Sequence, residues 1–89
     1  MKAVFKFPIV ITDKQLVMMP EGAEILSVAL VKHETVIYAM VDQSAPMANR
    51  WIVCRGTGHD IKPSDKLYFI GTVVYRGGEL VFHFFEQTQ

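Results

Sequence analysis

"LYFIGTVVYRGGELVFHFFE", residues 67–86, decides the fold. Two β-branched and aromatic runs flank Gly77-Gly78, and a two-glycine centre supplies the positive φ angles of a type I′ hairpin turn. A two-residue loop sets the register. It predicts Arg76 opposite Glu79, Val74 opposite Val81, Thr72 opposite His83 and Ile70 opposite Phe85 on one face. On the other face it predicts Tyr75 with Leu80, Val73 with Phe82 and Gly71 with Phe84, Gly71 leaving room for the Phe84 ring. The second face reads as core. The first, with His83 among Val74, Val81, Ile70 and Phe85, is too apolar to be left in water, so a second sheet or another subunit is expected to cover it.

Five further strands are expected outward from this hairpin, at 3–7, 15–19, 24–32, 35–42 and 50–56. "PEG" at 20–22 reads as a turn, "QSAPMAN" at 43–49 and "GTGHDIKPSDK" at 56–66 as loops, and Pro63-Ser64-Asp65 as a single helical turn. A turn at His33-Glu34 would pair Leu30 with Ile37, Val28 with Ala39 and Leu26 with Val41, although that dipeptide is a poor I′ pair and a longer loop would shift the register. No stretch of ten or more residues carries a helical apolar period. The expectation is an all-β single domain over 1–89, a compact antiparallel β-sandwich or small barrel of about seven strands. Both hairpins are apolar on both faces, which favours a homodimer, though two stacked sheets explain the pattern as well.

Bulk composition narrows the function classes. Nine Lys and Arg balance nine Asp and Glu, without a block of like sign, so nucleic acid is not an expected partner. A single cysteine forms no internal disulfide, which suits a reducing cytoplasm. The N-terminal "MKAVFKFPIVI" is interrupted by Lys6 and Pro8, unlike a signal peptide, and no run approaches a membrane span. No cofactor fingerprint is present, and no cofactor is expected.

"WIVCRGTGHDIKP", residues 51–63, concentrates the chemistry-bearing residue types. Gly56 and Gly58 lack the third glycine and following helix of a dinucleotide site, so they read first as a tight strand exit. A narrower binding role remains. The amides of Gly56, Thr57 and Gly58, flanked by Arg55 and His59 and with Trp51 available for stacking, form a candidate anion-contacting loop. Cys54 shares a strand face with Ile52 and reads as a small buried hydrophobe rather than a nucleophile. His33, His59 and His83 are isolated, without metal-ligand spacing, and His83 reads as a hydrogen-bonding residue opposite Thr72. No catalytic residue and no metal ligand is expected, and the protein is not expected to be an enzyme.

Several segments carry a resemblance: "MPEGAEILSV" (19–28), "YAMVD" (38–42) with "AP" (45–46), "GTGH" (56–59), "IGTV" (70–73) and "GGELVFHFFE" (77–86). Together they resemble a family of short uncharacterised proteins encoded by tailed bacteriophages and prophages. The resemblance implies an accessory protein acting in the bacterial host cytoplasm, and it transfers no catalytic residue. Small phage proteins of this kind often bind stoichiometrically, blocking a host defence protein or sequestering a signalling nucleotide. The other expectation is a structural or virion-associated module that oligomerises through its apolar faces.

Overall fold

The computed structural model describes residues 1–88. Seven strands follow in order: β1 (Lys2–Ile9), β2 (Lys14–Pro20), β3 (Glu24–Val31), β4 (Glu34–Asp42), β5 (Met47–Gly56), β6 (Leu67–Tyr75) and β7 (Leu80–Gln87). They form two antiparallel sheets, β1-β4-β3 and β2-β5-β7-β6, so the architecture is a sandwich and not a closed barrel. Pro63–Asp65 is the expected lone helical turn, of 3₁₀ type. Met47 to Asn49, expected in a loop, belong to β5, because they pair with Pro20 to Met18 of β2.

The core lies between the sheets. Ile9, Ile37, Ala39 and Val41 from the three-stranded sheet meet Val17, Met19, Ile52, Cys54, Val73 and Phe84 from the four-stranded one. A hydrogen bond crosses the core, Thr35 Oγ1 to Tyr75 Oη at 2.7 Å, and satisfies the buried Thr35 hydroxyl. The sheets approach most closely where β3 faces β6. A Cβ at Gly71 would stand 2.8 Å from Val28 Cγ1, so the space at Gly71 serves Val28 of the opposite sheet and not the Phe84 ring.

The β6–β7 hairpin turns as its glycines predict. Gly77 (φ 63°) and Gly78 (φ 105°) both lie at positive φ, and the Glu79 N–H donates to the Arg76 carbonyl at 3.3 Å. Arg76, expected in the strand opposite Glu79, is instead left-handed (φ 51°) and opens a 3₁₀ turn over Arg76–Gly78, so the loop spans four residues rather than two. The ladder starts at Tyr75–Leu80 and keeps the expected pairs down to Gly71–Phe84. It then slips. A bulge at Ile70 brings Phe69, not Ile70, opposite Phe85, with the two rings edge-to-face at 5.6 Å. In the β3–β4 hairpin the turn sits one residue earlier than expected, at Lys32-His33. Val31 therefore pairs with Glu34, Leu30 with Thr35 and Val28 with Ile37. Lys32 takes the left-handed conformation (φ 56°). The shifted register already excludes the expected Leu26–Val41 pair, and a second bulge leaves Leu26 without a partner in the ladder.

β5 and β6 both run antiparallel to β7, which lies between them, so residues 57–66 must return from the end of β5 to the start of β6. Three contacts trace the path. Thr57 Oγ1 bonds His83 Nε2 at 2.9 Å, Ile61 lines a cleft with Phe85, and Gln87 Nε2 donates to the Asp65 carbonyl at 2.9 Å. His83, Phe85 and Gln87 alternate along the outer face of β7, so the segment runs down that face. The face expected to need a second sheet or another subunit is covered in part by the chain's own crossover.

Candidate functional site

Gly56, Thr57, Gly58 and His59 form a β-turn at the end of β5. The His59 N–H donates to the Gly56 carbonyl at 3.1 Å, and Gly58, third in the turn, has φ 86°, a position that favours glycine. The His59 ring folds back so that its Nδ1 accepts the Gly56 N–H at 3.2 Å. A Cβ at Gly56 would lie 2.9 Å from His59 Cε1, so Gly56 is needed for this close approach. Arg55 is turned onto the backbone, its Nη1 donating to the Cys54 carbonyl at 3.0 Å and the Asp13 carbonyl at 3.4 Å. Thr57 caps one nitrogen of His83, and Thr72 Oγ1 meets the other, Nδ1, at 2.9 Å.

The structure brings Arg55, Gly56, Thr57, Gly58 and His59 together between two clefts. One, of about 470 Å³, is lined by Gly56, Thr57 and His59 with Glu79 to Phe82. The other, of about 310 Å³, is lined by Asp13, Lys14, Arg55, His59 and Asp60. The turn commits the amides of Gly56 and His59 internally, which leaves those of Thr57 and Gly58 for an external acceptor. Carboxylates of Glu79, Asp13 and Asp60 in the same clefts oppose an anion.

Trp51 lines neither of these two clefts. It lies four residues earlier on β5, roughly 13 Å along an extended strand. There Lys14 Nζ stands 4.4 Å from its ring centroid, in cation–π geometry. Cys54 is buried beside Ile52 and Phe84, and burial pushes its thiol above the ordinary range, with Asp13 adding to the rise and Arg55 opposing it. A thiol held protonated in the core is a poor nucleophile. Among the described residues no three of His, Cys, Asp and Glu are grouped as a metal ion requires, and no helix is long and apolar enough to cross a membrane.

Two features escape a reading centred on residues 51–63. Arg50 grips Glu86 through Nε and Nη2, the latter at 2.9 Å, and sends Nη1 to the Ala23 carbonyl at 2.8 Å. These bonds from Glu86 hold the Arg50 guanidinium protonated even more firmly than usual, against the opposing effect of burial. Both residues sit at inward positions of their strands, Arg50 in phase with Ile52 and Cys54, Glu86 with Phe82 and Phe84. Opposite charges at core phase on two strands were the legible signal for this clamp. It lines a cleft of about 450 Å³ with Gly22, Ile25, Leu26 and Tyr68.

The second feature is the outer face of β2 and β5. Leu16, Met18 and Met47 are 46%, 57% and 54% exposed there, on the same face as Trp51. The outward positions of these two strands hold Lys14 and Arg55 and no carboxylate. By contrast, the outer face of the three-stranded sheet is charge-laced, with Lys2, Lys6, Glu24, Glu34 and Asp42. Comparison with curated proteins and with solved structures gives no match. A family model described as a domain of unknown function (DUF7352) matches residues 1–89, and the chain belongs to that family.

Proposed function

We propose that the protein acts without catalysis, by stoichiometric binding, as a phage accessory protein that blocks a host defence protein in the bacterial cytoplasm. The observation that carries this reading is the apolar outer face of β2 and β5. Leu16, Met18 and Met47 share that face with Trp51, and its charged outward positions are Lys14 and Arg55, which have Asp13 and Asp60 beside them in the adjoining cleft. Aromatic residues dominate binding energy at protein interfaces, and an exposed apolar face holding a tryptophan suits a protein partner.

Sequestration of a nucleotide-type anion is the narrower form of the same reading. It has less support, because the Arg55–His59 turn holds two of its own amides and has Glu79 in its larger cleft. Capture from host lysate with Trp51→Ala as the control tests the main form. One host protein retained by the native chain and lost with the variant supports it, and a clean capture sinks it. Thermal melting against cyclic and linear nucleotides tests the narrower form, which requires a rise in Tm with at least one of them.

A further inference from the structure

Four strands lie at sheet edges, and three of them are guarded. β1 carries Lys6 and Pro8 along its length. β3 and β6 are each interrupted by a bulge, at Leu26 and Ile70, and pack against one another through Val28 and Gly71. Charges, prolines, bulges and coverage are the devices by which natural sheets keep their edges from pairing. β2 has none of them between Gln15 and Met19, and its proline comes at the last position.

Hydrogen-bond phase shows which groups this edge presents. Cys54 N–H donates to the Asp13 carbonyl at 3.0 Å, which marks 13 and 54 as a hydrogen-bonded pair of the β2–β5 register. By the alternation of an antiparallel ladder, residues 15, 17 and 19 then bond to β5. The N–H and C=O groups of Leu16 and Met18 point away, to the open edge, where no strand pairs with β2.

From this geometry we infer that β2 pairs antiparallel with β2 of a second copy, joining two four-stranded sheets into one of eight. A two-fold axis at Val17 places Leu16 opposite the partner's Met18. Lys14 falls opposite the partner's Pro20, so no like charges meet within the paired strands. The joint merges the two exposed apolar stripes of Leu16 and Met18 into one.

The self-complementary register, Leu16 on Met18 and Lys14 on Pro20, favours a second copy as the occupant, and the open shape of the chain admits one. Its radius of gyration is 13.3 Å, against ~12 Å for a compact chain of this length. Its accessible surface is 5879 Å², against ~5,300 Å² for a monomer of this mass. The excess goes with a flat shape, 40 × 34 × 16 Å, that leaves the sheet edges at the rim accessible to a second copy. The inference is independent of the host-protein reading, since it concerns the purified chain alone.

Light scattering of the purified full chain is expected to show a dimer. Hydrogen exchange should show the Leu16 and Met18 amides protected, as edge amides in a monomer would not be. Met18→Lys, at an exposed position, should leave the circular dichroism unchanged and weaken dimerisation at least about tenfold, the equivalent of about 1.4 kcal/mol. A chain that stays monomeric as concentration rises overturns the inference. So does a dimer whose Leu16 and Met18 amides exchange freely, a readout on the native chain that holds even where Met18→Lys misfolds.

Discussion

Val28 and Gly71 meet across the two sheets so closely that a β-carbon at 71 would lie 2.8 Å from Val28 Cγ1. This close approach lies in the β3–β6 seam, and it explains a glycine in mid-strand without any turn. Valine is stiff at χ1 and gives way little. Gly71→Ala is expected to destabilise by about 1–3 kcal/mol, the usual range for overpacking. Adding Val28→Ala should recover part of that loss in urea unfolding. An alanine at 71 with no cost would mean that the seam is looser than described.

The Arg50–Glu86 clamp is about one-fifth exposed at each side chain and also holds the Ala23 carbonyl. Glu86→Ala leaves a half-buried guanidinium without its carboxylate and should cost about 1.5–3 kcal/mol. The double change Arg50→Met with Glu86→Leu should lie nearer the native stability than either single change. Strict additivity in the double-mutant cycle would refute the coupling.

Thr35 and Tyr75 share the hydrogen bond that spans the core. Tyr75→Phe leaves the buried Thr35 hydroxyl unpartnered, at an expected cost of about 1–3 kcal/mol. Thr35→Val combined with Tyr75→Phe removes both polar groups and should restore most of the stability. Chemical denaturation of the three variants decides this.

Burial pushes both the Cys54 thiol and the Tyr75 phenol upward, from ordinary values of 9.0 and 10.0. For Tyr75 the bond to Thr35 opposes the rise without cancelling it. Between the unfolded and folded values the folded chain keeps protons that the unfolded chain has released, so stability falls as pH rises. Their contribution is complete below pH 9.0 and is lost from there upward, Cys54 first and Tyr75 above 10.0. Urea unfolding from about pH 8 to 11 should show this alkaline decline, and Cys54→Ala should delay its onset. A decline of the same onset in Cys54→Ala would assign it elsewhere. In the native chain the thiol should resist aromatic disulfide reagents until unfolding exposes it.

The seven strands were legible because β-branched and aromatic runs punctuated by Gly, Pro and Asp state their conformation locally. Gly77-Gly78 placed one turn and five ladder pairs correctly, since two positive φ angles leave little choice there. Where a turn lacked glycine the reading slipped. His33-Glu34 gave way to Lys32-His33 because the pairing of Val28 with Ile37, and not the turn residues, sets that register.

For the candidate site, sequence adjacency places Arg55 to His59 in one turn, while Trp51 stands four residues back along β5 and meets Lys14. Neighbours in a turn stay neighbours, whereas four residues of strand carry a side chain well away. Cys54 was assignable to the core from strand phase alone. The Arg50–Glu86 clamp joins residues 36 positions apart through the meeting of β5 with β7, and no local signal states that meeting.

The sequence by itself determined the all-β class, the strand positions, the Gly-Gly hairpin and the burial of Cys54, all of which follow from backbone preference and two-residue periodicity. Only the tertiary structure decided which strands are edges, where the 57–66 crossover lies, and that it leaves open the apolar face holding Trp51. Those are questions of which strand lies beside which. They are settled by the joint packing of distant segments around one core, and no local stretch of chain contains that information.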